Sequence, residues 1–185
     1  MKTNSKDLSK AVFLDRDGPI IPDTGYVRDH EKVQLSEGAV EGMRLLKEHG
    51  FKIIVISNQA GVAKKIITPE QAKRVHERVV MLLRAEGVEL DDVYYCFHHP
   101  DDRCECRKPK TKHVHDATAK HGIDVAKSFF AGDKPSDLQA GRNAHSTMKT
   151  VLVGEDLKDP VLEEELFDFK ADNLKKAAEW IIRQE

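Results

Sequence analysis

Five short apolar runs, each followed by a stretch of helical character, limit what this chain can fold into more than any other feature. The runs are Ala11–Leu14, Phe51–Ile56, Asp92–Phe97, Ser128–Ala131 and Thr150–Val153. They are short and mostly β-branched or aromatic, so they read as strands. Val40, Met43, Leu45 and Leu46 repeat with a helical period over Glu37–His49, and Gly50 stops the run. Thr68-Pro69-Glu70-Gln71 opens a helix to about Glu86: a cap, a proline at the first helical position and a glutamine that closes a capping box. Further helices are expected over Lys112–Lys120, Pro135–Asn143, Pro160–Leu166 and Asn173–Arg183, with a short edge strand at Phe167–Phe169. Strands alternating with helices form a parallel sheet covered on both faces, joined by right-handed crossovers. The expectation is therefore an α/β fold, a three-layer doubly wound parallel sheet of Rossmann-like form. It should be a single domain over 1–185 with a flexible tail at 1–9.

The strand ends carry the chemistry. In open α/β sheets, ligands bind outside the carboxyl ends of the strands. The first run ends in Asp15-Arg16-Asp17-Gly18. Residues two apart on an extended chain point the same way, and two acids in one cleft repel unless a cation or a shared proton offsets the cost. The second run ends in Ser57-Asn58-Gln59, and the fourth in Gly132-Asp133-Lys134 with Asp137 close behind. Arg107 and Lys108 follow the third run after a loop. Groups suited to a metal or a phosphate thus gather at the same end of four strands.

The loop itself points to a second metal. Cys96-Phe97-His98 and Cys104-Glu105-Cys106 form C-x-H and C-x-C, and each pair can converge from an extended segment. Three sulfurs and one imidazole fill a tetrahedral zinc (Zn2+) site, leaving no open position, which is a structural arrangement. His99 should point away from Cys96. All three cysteines lie in this loop. A bridge within Cys104-Glu105-Cys106 would be strained, and an odd number is poor material for a disulfide framework. The zinc loop, 96–109, leads directly into Arg107 and Lys108, so its metal should fix where those cations sit.

Lys and Arg total 30 against 32 Asp and Glu, a net charge of -2. This gives no general attraction to nucleic acid or to an anionic membrane. No apolar run is long enough to span a bilayer, and Met1–Lys10 lacks the apolar core of a signal peptide. The expectation is a cytoplasmic monomer with no nucleic-acid or membrane partner.

Taken together, Asp15-Arg16-Asp17-Gly18, Ser57, Lys108 and Gly132-Asp133-Lys134-Pro135-Ser136-Asp137 resemble the four motifs of the haloacid dehalogenase-like phosphatases, in order. The resemblance implies that Asp15 is the nucleophile and forms an aspartyl-phosphate. It implies that Asp17 protonates the leaving alcohol and then activates water. Magnesium (Mg2+) would be held by Asp15, the backbone carbonyl of Asp17 and Asp133. Ser57 would bond a phosphoryl oxygen, Lys108 would balance its charge, and Asp137 would support the metal site. No large insertion separates the motifs, so no large cap domain is expected and the site should be open.

The C-x-H…C-x-C insert followed by Arg-Lys-Pro resembles a narrower branch, that of the heptose-bisphosphate and histidinol phosphatases. Asp23-Thr24-Gly25-Tyr26-Val27 is similar to the D-x-G-Y-V sugar-phosphate segment of the heptose-bisphosphate group. That likeness implies substrate contacts from Asp23, Thr24, Gly25, Tyr26, Asn58, Gln59, Ala60, Arg107 and Lys134. It also implies a small phosphorylated sugar as substrate, the 7-phosphate being removed from D-glycero-D-manno-heptose 1,7-bisphosphate. Three other readings stand beside it. One is a histidinol-phosphate phosphatase. Another is a polynucleotide 3'-phosphatase, which Ser57-Asn58-Gln59 and Gly61 also resemble but which the net charge and the zinc loop count against. The third is a silent sugar-phosphate-binding module, which the intact Asp15, Asp17 and Asp133 argue against. Three departures bear on substrate more than on reaction: Pro19 for the usual threonine, Ile21 for a polar residue, and Lys64-Lys65 for a common Arg-Gly pair.

Overall fold

A computed structural model describes residues 8–154 and 164–184. The strands are β1 (Ala11–Leu14), β2 (Lys52–Asn58), β3 (Asp92–Cys96), β4 (Phe129–Gly132), β5 (Lys149–Val153) and β6 (Phe169–Ala171). They pair in parallel in the order β3-β2-β1-β4-β5-β6. The helices are α1 (Ala39–Glu48), α2 (Pro69–Ala85), α3 (Lys112–His121), α4 (Pro135–Ala144) and α5 (Leu174–Ile182).

Every residue of β1 is 0% exposed. A strand flanked on both edges and covered on both faces needs apolar side chains throughout, which is why it reads as an unbroken run. Alternation still divides it. Val12 and Leu14 join Met43 and Leu46 of α1, Val75 and Val79 of α2 and Leu174 of α5 on one face. Ala11 and Phe13 join Val114 and Ala117 of α3 and Ala140 of α4 on the other, where Phe13 stacks on Phe130 with ring centres 6.1 Å apart. Complete burial of each such large side chain contributes roughly 1.5–3 kcal/mol. The result is the expected three layers. The capping box of α2 also forms: Thr68 Oγ1 accepts from the Gln71 N–H at 3.2 Å, and Gln71 Oε1 accepts from the Thr68 N–H at 2.8 Å.

Strand order reverses at β1, with β2 and β3 on one side and β4 to β6 on the other. Such a switch point opens a crevice at the carboxyl ends of the two diverging strands. Here these are β1 and β4, paired Leu14 to Ala131. The Asp15 N–H donates to the Ala131 carbonyl at 3.0 Å. The two exits that carry Asp15 and Asp133 are therefore side by side.

The edge strand lies two residues later than expected. Asp168 is occupied as a bracket: its N–H donates to Thr150 O at 2.9 Å, its carboxylate accepts from the Thr150 N–H at 2.7 Å, and Arg142 pairs with it at 3.0 Å. Sheet pairing starts only at Phe169. The helix expected over Pro160–Leu166 falls largely outside the described residues; within them, Glu164–Leu166 form one 3-10 turn. Residues 1–7 of the expected tail also lie outside them. Ser9 is already anchored, donating to Gly122 O and accepting from the Asp124 N–H, each at 2.8 Å. Among the described residues no lid domain covers the strand exits, and no helix is long and apolar enough to cross a membrane.

Candidate active site

Asp15 follows β1 directly, Asp133 follows β4, and Asp137 sits in the first turn of α4. One carboxylate oxygen from each lies within 4.8 Å of the other two. Glycines permit this approach. Gly18 has φ +94°, and a Cβ there would come within 2.6 Å of Asp133 Cγ. Asp15 is 4% exposed and Asp137 0%.

The buried cation of the site is Lys108. Its ammonium pairs with Asp137 at 2.7 Å and Asp15 at 3.2 Å, and donates to the Ile56 carbonyl. Burial works against its charge, but the two acids outweigh it and hold its pKa above the ordinary lysine value. Asn58 fixes the backbone beneath. Its amide accepts from the Lys108 N–H at 3.0 Å and donates to Lys108 O at 3.1 Å.

Three carboxyl groups thus share one ammonium, so the cluster holds more acid than cation. Burial pushes the Asp133 carboxyl up to about 7, with Asp137, Asp15 and Asp23 adding to it against Lys134. Burial also pushes Asp137 up to about 6, against the pull of Lys108. Asp133 Oδ1 is buried and has no hydrogen-bond partner among the described residues. An orphaned hard oxygen in an acid-rich cluster fits a divalent cation of the oxygen-seeking kind.

Asp17 lies apart from this cluster. The chain leaves β-form after Leu14 and turns, held by Gly18 N–H to Ile21 O at 2.7 Å and by Ile20 and Ile21 N–H to Arg16 O at 3.1 Å. None of these bonds uses the nitrogen of Pro19. Ile21 is 2% exposed and belongs to the core. The Asp17 carboxylate accepts Arg16 Nε at 2.9 Å, Arg16 Nη2 at 3.0 Å and Gln59 Nε2 at 2.7 Å. Burial raises its pKa, with Arg16 opposing and Asp15 adding to the rise.

The expected substrate contacts divide into two groups. Gln59 and Ala60 are 6% and 4% exposed. The Gln59 amide is engaged by Asp17 and, at 2.9 Å, by Ser57 Oγ, so it organises neighbours rather than facing solvent. The Asn58 amide is likewise engaged by Lys108. Ser57 is 1% exposed, near the end of β2. In contrast, Thr24, Gly25 and Tyr26 are exposed on the loop after β1. Asp23 pairs with Lys134 at 2.8 Å and accepts from the Gly25 N–H at 3.0 Å. Burial pushes Asp23 up, but Lys134 and Gly25 outweigh it and hold its carboxyl below the usual range. The Tyr26 ring covers Gly61, where a Cβ would stand 2.6 Å from Cδ1, and Lys64 lies 5.7 Å from the ring centre. Arg107 Nη1 is buried without a partner among the described residues. Lys65 takes φ 55°, the left-handed form that a glycine adopts without strain.

The four residues of the cysteine loop converge. Cys96 Sγ lies 3.8 Å from Cys104 Sγ and 3.6 Å from His98 Nδ1, and Cys106 Sγ lies 3.3 Å from His98 Nδ1. Tetrahedral zinc with bonds of about 2.3 Å to sulfur and 2.0 Å to nitrogen sets ligand separations of roughly 3.8 and 3.5 Å. The cluster matches. The His99 ring turns instead toward Asp101, and its backbone N–H donates to the Asp102 carboxylate. The loop is tied to the site, because the Gln59 N–H donates to Cys96 O at 2.7 Å.

Arg16, which nothing in the sequence marks as a site residue, meets Asp17. Strand alternation places it opposite its two acidic neighbours, and only the turn after Leu14 brings it onto Asp17.

Comparison with known proteins agrees with this geometry. The family profile described as polynucleotide kinase 3 phosphatase matches residues 11–163. D-glycero-beta-D-manno-heptose-1,7-bisphosphate 7-phosphatase of Yersinia pestis is 38% identical over 149 residues, 77% of this chain and 79% of that protein. The enzyme of the same name from Helicobacter pylori strain J99 is 36% identical over 174 residues, 94% of this chain and 97% of its own. Among solved structures, the D,D-heptose 1,7-bisphosphate phosphatase of B. bronchiseptica, complexed with magnesium and phosphate, is 25% identical. It superposes with a TM-score of 0.84 over 95% of this chain and 99% of that one. With two diverging strands delivering acids to one crevice and relatives of this similarity, the chain belongs to the haloacid dehalogenase-like phosphatases, in the family of the heptose-bisphosphate enzymes, and is itself a phosphatase.

Proposed function

We propose that this phosphatase removes the 7-phosphate of D-glycero-D-manno-heptose 1,7-bisphosphate through an aspartyl-phosphate on Asp15. An Asp15 oxygen attacks phosphorus and the ester P–O bond breaks. Asp17 gives its proton to the departing sugar oxygen. Asp17 then takes a proton from water, whose oxygen attacks phosphorus. The P–O bond to Asp15 breaks, inorganic phosphate leaves and the carboxylate is restored. Ser57 donates to a phosphoryl oxygen, and Lys108 opposes its charge. Asp15, Asp133 and the Asp17 carbonyl would hold magnesium, which supplies charge neutralisation where phosphate meets carboxylate. Cys96, His98, Cys104 and Cys106 would hold zinc as a closed structural site. The exposed loop of Asp23, Thr24, Gly25 and Tyr26, with Arg107 and Lys134, would take up the sugar and its second phosphate.

The observation that carries this reading is the buried cluster of Asp15, Asp133, Asp137 and Lys108 beyond the ends of β1 and β4, with Asp17 held separately by Arg16 and Gln59. The test is phosphate release in magnesium from heptose 1,7-bisphosphate, histidinol phosphate and a 3'-phosphorylated oligonucleotide. The heptose substrate should be preferred at least tenfold in kcat/KM, and Asp15→Asn should abolish turnover. Preference for either other substrate would overturn the substrate assignment. Full turnover by Asp15→Asn would overturn the nucleophile.

A further inference from the structure

We propose that Arg16 is the positioning residue for Asp17 and that Tyr95 and His76 hold Arg16 in turn; this rests on the acid–base role proposed for Asp17. Arg16 is 3% exposed. Its guanidinium grips both Asp17 oxygens, Nε lying 2.9 Å from Oδ1 and Nη2 lying 2.8 Å from Oδ1 and 3.0 Å from Oδ2. A planar cation that holds both oxygens fixes the orientation of a carboxylate, which the point charge of a lysine does not. That control matters because Asp17 is past the end of β1, in a turn, with a like charge two residues away. Without that grip, repulsion from Asp15 and the pull of solvent favour other rotamers.

Arg16 is itself braced. Its guanidinium carbon is 5.6 Å from the centre of the Tyr95 ring on β3, a cation–π arrangement. The Tyr95 hydroxyl is 3.0 Å from His76 Nδ1 on α2, and the two rings meet edge to face at 5.4 Å. Three elements distant in sequence thus form one stack that ends on the acid. Gln59 completes it from β2's exit, bonding Asp17 Oδ2 at 2.7 Å.

The consequence depends on the leaving group. A sugar alkoxide needs a proton as it departs, whereas a nitrophenolate leaves without one. A residue that only aims the acid therefore matters for the first and hardly for the second. A residue that merely supports the fold matters equally for both. The ratio kcat/KM covers only steps through leaving-group departure, so it isolates the acid step.

The test compares kcat/KM on a sugar phosphate and on p-nitrophenyl phosphate, with magnesium present and the cysteine-loop metal retained. Asp17→Asn is the control. Arg16→Met should lose on the order of 100-fold on the sugar phosphate and less than about tenfold on the aryl ester. Arg16→Lys should restore little. Tyr95→Leu, which removes the ring under Arg16, should show the same imbalance, reduced to a few-fold. If Arg16→Met does not fold by circular dichroism, Tyr95→Leu decides alone. Equal losses on both substrates, with Asp17→Asn still unbalanced, would overturn the positioning role. A balanced loss in Asp17→Asn would remove the acid role itself, and this proposal with it.

Discussion

Replacing Lys108 by methionine should cost more stability than any other single change at the site. The ammonium stands 2.7 Å from Asp137 and 3.2 Å from Asp15, and its side chain is 1% exposed. With an effective dielectric of about 20, those separations correspond to attractions of roughly 6 and 5 kcal/mol. Desolvation of all three charges offsets much of that sum. Removing one partner of a buried pair, however, leaves the penalty without the attraction, and typically costs about 3–5 kcal/mol. In Lys108→Met, Asp15 and Asp137 would lose their shared counter-charge. A second change, Asp137→Asn, removes one member of the unbalanced pair. The double variant should therefore recover about 1–3 kcal/mol of the loss. The assay is urea denaturation at pH 7 in magnesium-free buffer, with the cysteine-loop metal retained and all variants measured in parallel. Saturating magnesium should shrink the penalty of the single variant, because a cation then sits among the same acids. A Lys108→Met protein within 1 kcal/mol of the parent, or a double variant no better than the single one, would refute the account of a charge-balanced cluster.

Other outcomes follow from the same geometry. Asp133 and Asp137 are pushed up to about 7 and about 6, so the folded state holds protons there that the unfolded chain has released above about pH 4. Magnesium-free protein should therefore lose stability as pH rises from about 4 to 7, whereas magnesium-saturated protein should not; urea midpoints across that range, with and without the metal, check the sign. Lys65→Gly should raise stability by about 1 kcal/mol, since φ 55° strains a residue with a Cβ; a thermal melt that is unchanged or lower would contradict it. Stripping the zinc proposed for the cysteine loop, or Cys104→Ser, should lower thermal stability and raise KM at least threefold. The Gln59 N–H bond to Cys96 O and the run into Arg107 and Lys108 couple that loop to the site. Unchanged kinetics in metal-stripped, folded protein would break the coupling.

The sheet was legible because its central strands are buried on both faces. A strand such as β1 tolerates no polar residue until it emerges, so the place where Leu14 gives way to Asp15 marks both an end and a site. The capping box of α2 was legible for a similar reason, since its two bonds are local to four residues. What sequence could not show was which polar side chain meets which. Asn58 and Gln59 look like ligand contacts, yet their amides hold Lys108 and Asp17, residues 50 and 42 positions away. Arg16 looks like an outward residue until the turn is seen. β6 was misplaced by two residues because Asp168, read as strand, is anchored to Thr150 instead.

The meeting of Tyr26 with Gly61 has a consequence for how this protein could change its diet. Asp15 and Asp133 hang from β exits, while the loop proposed to take up the sugar lays one aromatic ring over one glycine. A bulkier residue at position 61 would displace that ring and reshape the mouth while leaving Asp15 and Lys108 untouched. Variation at this single joint would thus move the loop proposed to take up the sugar without reaching the buried cluster.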